Sequence, residues 1–286
     1  MVDVATWTGT ESAWCPGCGN FGILRAMKQA MPGLGLEPWQ VLMVSGIGQA
    51  GKFPHYITAN TFNTLHGRTL PAATAAKCAN RQITVLAIGG DGDMYGEGGN
   101  HLLHAIRRNP DITCIVHNNQ VYGLTKGQAS PTTDPGMKTR LTPEGVINAP
   151  FNAMAFAVSQ RCGFVARAFA GDVRQMVSLI QRAVGHRGFS LLEILQPCPT
   201  FNKLNTFRWY RERAYKLEEQ GHDPLDPQAA MQRAWEWGER IPTGVFFTAG
   251  RMVFEDGQPA LRGQAAPLNA RTSDPRDVAK ETAFFS

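Results

Sequence analysis

The stretch that decides the fold is residues 83–128, ITVLAIGGDGDMYGEGGNHLLHAIRRNPDITCIVHNNQVYGLTKGQ. It contains two apolar segments, 83–89 and 112–118, which are continuous and rich in β-branched residues, as strands buried on both faces should be. Between them a glycine-rich turn leads into a helix-like run, His101–Ile106. The stretch therefore predicts one βαβ unit.

Polar side chains follow both predicted strands, Asp91 after the first and Asn119 after the second. Ligands bind at the carboxyl ends of strands in an open parallel sheet, so we expect the two side chains to meet at one rim. Together with a backbone carbonyl such as that of Val121, they would give Mg²⁺ the oxygen ligands that it prefers. The nearby glycines and the following helix N-terminus would suit a diphosphate. The alternative is an ordinary turn in which the glycines only make the bend.

A dinucleotide-binding site is the rival interpretation, because GxGxxG occurs as GCGNFG from Gly17 and as GIGQAG from Gly46. The first lacks a preceding strand, and the second runs into a segment that does not look helical. No Asp or Glu lies between Gly51 and Asp91 to hold a ribose. The required context is therefore missing, and this interpretation is the weaker one.

Composition is typical of a globular protein with its own core: the chain has 286 residues, of which 43% are hydrophobic and 18% charged. The net charge of +5 is mild and does not suggest nucleic-acid binding. No apolar run is long enough for a membrane span, and the first residues lack a leader pattern. We therefore expect a cytoplasmic protein, in which the six cysteines are thiols or metal ligands.

Further elements extend the βαβ unit into an α/β fold, a mostly parallel sheet with helices on both faces. Strands are predicted near residues 39–48, 164–170 and 190–195. Helices are predicted at Thr69–Ala79, where small residues allow close packing, and at Val173–Val184. These elements belong to one predicted domain, residues 1–200.

From Asn202 onward the pattern changes to polar, aromatic-rich segments without another βαβ repeat. Residues 201–254 are therefore predicted to form a C-terminal arm that lies on another surface. Residues 255–286 are rich in Pro, Gly and charged residues, which predicts a polar tail.

The cysteines fall into two groups. Cys15 and Cys18 form a CxxC motif before a helix, which suits a redox dithiol, half of a zinc site, or half of an iron–sulfur site. Cys198 follows a predicted strand and should lie on the same rim as Asp91. The remaining three are interpreted as core thiols: Cys78, Cys114 and Cys162.

The spacing from GDG to NN, one whole βαβ repeat, resembles the signature of thiamine diphosphate enzymes. Five motifs together resemble the β subunit of the 2-oxoacid:ferredoxin oxidoreductases, most closely the 2-oxoglutarate type. They are WCPGCGN, VSGIG, LHGR, the block from GDGD to NNQVYGLTKGQASPTT, and LQPCPTFN. The resemblance covers residues 14–247, and it implies the thiamine diphosphate-binding fold.

The resemblance also implies site residues. Asp91, Asn119 and the Val121 carbonyl would bind Mg²⁺, and His66 and Arg68 would lie near cofactor or substrate. Thiamine diphosphate would contact further loop residues: Gly48, Gly90, Gly92, Asp93, Gly123, Leu124 and Thr125.

A [4Fe-4S] cluster would be bound by Cys15, Cys18 and Cys198. Gln49 stands where many relatives have a fourth cysteine, and its amide is a poor iron ligand. Three outcomes are open: a three-cysteine cluster, which we favour, a substitute such as Cys78, or no cluster.

The activity implied by the resemblance is oxidative decarboxylation of 2-oxoglutarate to succinyl-CoA and CO2, with electrons passing through the cluster to ferredoxin. Lys52 and Lys126 are candidates to pair with the distal carboxylate of the substrate, or else contact phosphate or solvent. The family also implies an α subunit that carries the second thiamine-binding domain. Alternatives are the same chemistry on pyruvate or on a branched-chain or aromatic 2-oxoacid, and a noncatalytic electron-transfer subunit.

Overall fold

An eight-stranded sheet forms the centre of the protein in the computed structural model, which describes residues 3–262, 266, 267, 270 and 283. Its strand order is β2-β1-β3-β4-β8-β7-β10-β9. A separate hairpin pairs β5 with β6. The strands in chain order are β1 Val41–Ser45, β2 Asn60–Asn63, β3 Thr84–Gly90, β4 Thr113–Asn118, β5 Val121–Tyr122, β6 Gln128–Ala129, β7 Phe164–Phe169, β8 Ser190–Leu195, β9 Ala214–Lys216 and β10 Ile241–Thr248.

Helices cover both faces of this sheet. The helices in chain order are α1 Asn20–Gly33, α2 Thr69–Ala79, α3 Gly99–Arg108, α4 Ala153–Ser159, α5 Val173–Gly185, α6 Phe207–Arg213, α7 Pro227–Ala234 and α8 Phe254–Gly257. Alternate residues of β3 point to opposite faces, as the pleat requires. Leu86 and Ile88 pack with α1 and α5, whereas Val85 and Ala87 pack with α2, α3, α4 and α7. Each face therefore has its own hydrophobic core.

This architecture confirms the predicted fold class. Within the eight-stranded sheet, the described pairings are parallel except for the one between β7 and β10. The predicted helix at Thr69–Ala79 is α2, and the predicted strand at Ser190–Leu195 is β8. Among the described helices none is long and apolar enough to cross a membrane.

The C-terminal segment differs from the predicted arm because it completes the sheet. In β10, Phe246 and Phe247 are buried, and the strand runs antiparallel to β7. Helix α7 packs against α4. Residues 201–254 are thus part of the same folded unit as residues 1–200, and their role as a subunit contact stays a prediction.

The first residues of the predicted polar tail are docked. Glu255 is buried, and its carboxylate accepts hydrogen bonds from the backbone N–H of Asp111. Asp256 forms ion pairs with Arg81 and Arg187. Most of residues 263–286 lies outside the described part of the chain.

The two edges of the sheet are unlike. At one edge, all four residues of β2 are exposed. At the other, β9 has three residues and is followed by a short 3-10 helix, Leu217–Gln220. Between these edges, the parallel strands β1, β3, β4 and β8 end side by side, so the loops that follow them share one rim.

Candidate active site

A cleft lies at the carboxyl ends of β1, β3 and β4, and it encloses about 610 Å³ including its open mouth. Every residue that the sequence predicts to contact the cofactor lies in its wall, together with His66. The lining residues are Ile47, Gly48, Gln49, Ala50, His66, Gly90, Asp91, Gly92, Asp93, Asn119, Val121, Tyr122, Gly123, Leu124 and Thr125. We call this the cofactor cleft. It brings together loops that are far apart in sequence.

Asp91 is one of the two buried acidic residues in the wall of the cleft, and it is 1% exposed. Its Oδ2 accepts hydrogen bonds from the Oγ of Ser130 and from the Oγ1 of Thr132, the latter at 2.6 Å. Burial raises the pKa of Asp91 to about 6, although both hydrogen bonds oppose this shift. Among the ion pairs of the described residues none supplies a cation to Asp91. A buried carboxylate in this setting suits a bound metal cation.

Asn119 and Val121 complete a donor set of the kind that Mg²⁺ requires. Asn119 Nδ2 donates to Gln196 Oε1 at 3.0 Å, and Asn119 Oδ1 accepts from the Val121 N–H at 3.1 Å. Gln120, between them, has a φ of 61°, so the chain turns sharply here. Carboxylate, amide and backbone oxygens are thus available from adjacent loops, and the residues present fit the predicted cation.

Asp93 ties together the loops around the cleft. Its Oδ1 accepts hydrogen bonds from the N–H of Gly67 at 2.8 Å and of Ile47 at 3.3 Å, and its Oδ2 accepts one from Thr69 Oγ1 at 3.1 Å. A Cβ at Gly46 would lie 2.1 Å from Asp93 Oδ2, so only glycine fits there. The carboxylate therefore positions the loop after β1 and the start of α2.

The loop from Leu65 to Arg68 places one of its two candidate residues in the cleft. His66 lies in the wall, with Nδ1 3.3 Å from Glu97 Oε2. The Arg68 side chain is exposed and lies outside the wall, with Nη1 2.9 Å from His101 Nε2. Of these two, only His66 faces the space where cofactor or substrate is expected.

The two candidate lysines also lie outside the wall of the cleft. Lys52 is half-buried directly before the short 3-10 helix Phe53–Tyr56. Lys126 is exposed and has a φ of 76° in the loop between β5 and β6. Their contact with a substrate carboxylate therefore stays a prediction.

A second cavity, the cysteine cavity, adjoins the cofactor cleft. Its wall includes the three predicted cluster cysteines and Gln49; the lining residues are Trp14, Cys15, Cys18, Asn20, Gln49, Asn119, Gly123, Gln196, Cys198, Pro199, Thr200 and Phe201. Gln49, Asn119 and Gly123 line both spaces. The predicted electron exit therefore lies directly beside the predicted cofactor site.

Cys18 is half-buried in this cavity. Burial raises its pKa to about 11, and nearby Cys198 and Cys15 add to this shift. Gln196 Nε2 lies 3.4 Å from its sulfur, and Trp14 Nε1 donates to the Gln49 carbonyl at 2.9 Å.

The thiols share a cavity without being preorganised for a metal. Among the described residues no group of three or more His, Cys, Asp or Glu side chains is arranged to hold a metal ion. By contrast, Cys114 and Cys162 are buried in the core, as predicted, and Cys78 is half-buried on α2. Cys15, Cys18 and Cys198 thus line one cavity together with Gln49, and their role as cluster ligands stays a prediction.

Sequence reasoning did not assign roles to Ser130, Thr132 and Gln196. Ser130 and Thr132 belong to the segment ASPTT, which follows the Asn-Asn motif. Their hydroxyl groups donate hydrogen bonds to Asp91. Gln196 belongs to the motif LQPCPTFN, two positions before Cys198. Their positions within these motifs were the available signal, because a polar side chain beside a predicted ligand commonly orients that ligand.

Two family models match this chain. Residues 44–194 match the family model for the C-terminal TPP binding domain of thiamine pyrophosphate enzymes. Residues 198–263 match the C-terminal model of the pyruvate ferredoxin oxidoreductase beta subunit.

Similar proteins carry related names. The 2-oxoacid:ferredoxin oxidoreductase subunit beta of Saccharolobus solfataricus is 48% identical over 246 residues, which cover 82% of this chain and 81% of that protein. The 2-oxoglutarate synthase subunit KorB of Archaeoglobus fulgidus is 40% identical over 71% of this chain and 77% of its own length.

A solved structure is similar along nearly the whole chain. It is 2-oxoglutarate:ferredoxin oxidoreductase from Magnetococcus marinus with 2-oxoglutarate, coenzyme A and succinyl-CoA bound. It has a TM-score of 0.91 and 34% identity, and the match covers 99% of this chain and 96% of that one. This chain belongs to the 2-oxoacid:ferredoxin oxidoreductase β subunits, an oxidoreductase family built on a thiamine diphosphate-binding domain.

Proposed function

We propose that this β subunit serves an enzyme that oxidatively decarboxylates 2-oxoglutarate to succinyl-CoA and CO2 and passes the electrons to ferredoxin. The observation that carries the proposal is the shared wall between the cofactor cleft and the cysteine cavity. Cleavage of a carbon–carbon bond with loss of CO2 in the first space would leave the bonding electron pair on the remaining fragment, next to the thiols of the second, from where an acceptor could take it up.

The cleft would hold thiamine diphosphate through Mg²⁺ bound to Asp91, Asn119 and the Val121 carbonyl. When bound, this cofactor supplies the nucleophilic carbanion and the electron sink for decarboxylation. The chain itself supplies a buried carboxylate and a close approach to the backbone at Gly90, where an added Cβ would meet no atom nearer than 3.9 Å. His66 is available at the cleft wall to bind or orient the substrate.

Cys15, Cys18 and Cys198 would hold the [4Fe-4S] cluster, which would supply single-electron transfer out of the site. Gln49 lies in the wall of this cavity, whereas Cys78 lies on α2 outside it. The arrangement therefore favours a cluster with three thiolates over a replacement ligand from Cys78. The remaining iron would take a non-cysteine or external ligand.

The active complex would require an α subunit, because thiamine enzymes need a glutamate on the aminopyrimidine ring from a second such domain. The described part of the chain contains one sheet of this type, and residues 201–254 complete that sheet. The acceptor and the acyl carrier, ferredoxin and coenzyme A, would be bound by the assembled enzyme. The Magnetococcus marinus enzyme was solved with coenzyme A bound.

The choice of 2-oxoglutarate rests on the relatives whose names specify it. Lys52 and Lys126 would meet its distal carboxylate, which pyruvate lacks. A second candidate is the same chemistry on a broader set of 2-oxoacids. It is favoured by the naming of the Saccharolobus solfataricus relative, which specifies only a 2-oxoacid.

The test uses the anaerobically purified complex of this chain with its α partner. We expect CO2 release from 2-oxoglutarate that depends on coenzyme A, with concurrent reduction of ferredoxin. Iron and acid-labile sulfide analysis with EPR should give about four irons per β chain beyond any bound elsewhere. Equal rates with pyruvate would favour the second candidate, and a complex that binds no thiamine diphosphate would contradict both.

A further inference from the structure

Gln196 joins the cofactor cleft to the cysteine cavity. It follows β8 directly and is 1% exposed. Its Oε1 accepts a hydrogen bond from Asn119 Nδ2 at 3.0 Å, and its Nε2 donates to Cys18 Sγ at 3.4 Å. One side chain thus touches both a proposed magnesium ligand and a proposed cluster ligand.

The orientation of the Gln196 amide is determined by its neighbours. Nε2 also donates to the Pro197 carbonyl at 2.8 Å, and the backbone N–H of Gln196 donates to the Asn118 carbonyl at 2.8 Å. If the Gln196 amide were flipped, its NH2 group would face the Nδ2 hydrogens of Asn119. Its carbonyl oxygen would then face the carbonyl oxygen of Pro197. Each such contact would leave buried polar groups without a hydrogen-bond partner. The amide therefore forms its hydrogen bonds only in the observed orientation.

This orientation in turn determines which end of Asn119 is available to a cation. The Asn119 amide nitrogen is directed at Gln196, and Oδ1, which accepts from Val121 N–H at 3.1 Å, keeps a second lone pair. A magnesium ion requires that oxygen and is repelled by the amide nitrogen's hydrogens. Without Gln196, Asn119 could rotate and present its N–H groups to the cleft.

We infer that Gln196 is a positioning residue that presents Asn119 Oδ1 to magnesium, an inference that rests on the proposed function. Gln196 also couples this magnesium ligand to the side chain of Cys18. Its acceptor end acts on the cation site. Its donor end is held by the sulfur in the adjoining cavity. Loss of the Cys18 sulfur should therefore change the affinity of the cleft for magnesium and thiamine diphosphate.

The first test measures Mg²⁺-dependent binding of thiamine diphosphate to the αβ complex by calorimetry, not turnover. Gln196→Leu should weaken this affinity by about 10–100-fold, as removal of a ligand's supporting hydrogen bond does. The matched control is Gln175→Leu, since Gln175 is another buried glutamine, bonded to Thr243 on the far strand β10. Equal affinities in Gln196→Leu and wild type would overturn the inference.

The second test addresses the coupling through a double-mutant cycle of Cys18 and Gln196. Cys18→Ala should weaken Mg²⁺-dependent affinity by about threefold, and the effect should vanish in a Gln196→Leu background. Cys15→Ala is the control, because it removes another proposed cluster ligand without touching Gln196 in the described hydrogen bonds. Equal effects of the two cysteine variants would contradict the coupling.

The two proposals fail in different ways. A wild-type complex that binds no thiamine diphosphate with Mg²⁺ would contradict the proposed function. Wild-type binding that Gln196→Leu leaves unchanged would contradict the positioning role alone.

Discussion

The cofactor cleft and the cysteine cavity share three residues of their walls but differ in how completely they are formed. In the cleft, Asp91 and Asp93 are buried and receive hydrogen bonds from several loops. In the cysteine cavity, Cys15 is exposed, Cys18 and Cys198 are half-buried, and the described residues form no ready metal site. The carboxylates of the cleft are thus enclosed and hydrogen-bonded within the protein, whereas the thiols of the cysteine cavity are more open to solvent.

This difference reflects the chemistry of the two sites. A carboxylate can be buried in advance when hydroxyl and amide donors satisfy it, as Thr132 and Ser130 do for Asp91. Thiols at an iron site must instead lose protons when the metal binds, so binding and local ordering occur together. The comparison predicts that the cleft responds to changes in charge and the cysteine cavity to changes in ligand number.

The largest effect is expected from removing the charge of Asp91 in the wall of the cleft. Asp91→Asn should lower Mg²⁺-dependent affinity for thiamine diphosphate by at least about 100-fold, more than the loss of a supporting group, and abolish decarboxylation. Calorimetry on the αβ complex measures the affinity. The control is Asp172→Asn, because asparagine can replace this helix-capping aspartate and Asp172 lies outside both spaces. Near-normal affinity in Asp91→Asn would remove Asp91 as a metal ligand.

The next effect concerns ligand number in the cysteine cavity. Cys198→Ala should remove most of the iron that the β chain binds, whereas Gln49→Cys should slow iron loss to a chelator by supplying a fourth thiolate. Iron analysis and EPR on anaerobic samples measure both. Cys162→Ala is the control, since this thiol is buried in the core. Unchanged iron in Cys198→Ala would exclude it as a ligand.

A smaller effect, on substrate preference, is expected from Lys52, which lies outside the wall of the cofactor cleft. Lys52→Ala should reduce the preference for 2-oxoglutarate over pyruvate by about 10–100-fold, because the distal carboxylate would lose its countercharge. The ratio of kcat/KM values for the two substrates measures this. Lys126→Ala tests the second candidate in parallel. If Lys52→Ala keeps the wild-type ratio, the proposal that this lysine selects the substrate is wrong.

The smallest effect tests how much of the preformed cleft depends on one hydroxyl. Thr132→Val should weaken Mg²⁺-dependent cofactor affinity by about 10-fold, because Asp91 Oδ2 would lose a donor at 2.6 Å. Thr243→Val is the matched control: it also removes a buried hydroxyl, but on β10, away from the cleft. Similar affinity losses in both variants would indicate a general loss of stability instead of a specific effect on Asp91.

Much of the cleft could be predicted from the sequence because its residues lie in local motifs at strand ends. Asp91 and Asn119 were paired from strand pattern alone, and the structure places them in one wall. Strand β10 could not be recognised in this way. Its segment, IPTGVFFT, contains a proline and a glycine within a polar, aromatic-rich region, and its antiparallel pairing with β7 is a long-range contact.

Supporting side chains were harder to predict than ligands for a related reason. Ser130 lies 39 positions from the carboxylate it contacts, and Gln196 lies 77 positions from Asn119. Neither residue type indicates such a role by itself. The path of the chain brings each one beside its partner, and the pattern of apolar residues does not specify that path.

The exposed edge of the sheet has a practical consequence for producing the protein. Strand β2 presents four exposed residues, with Phe62 56% exposed, and in the described part of the chain no strand pairs with its outer side. Free backbone groups along such an edge are a template for another chain. We therefore expect the isolated chain to associate edge to edge as its concentration is raised, which light scattering would measure.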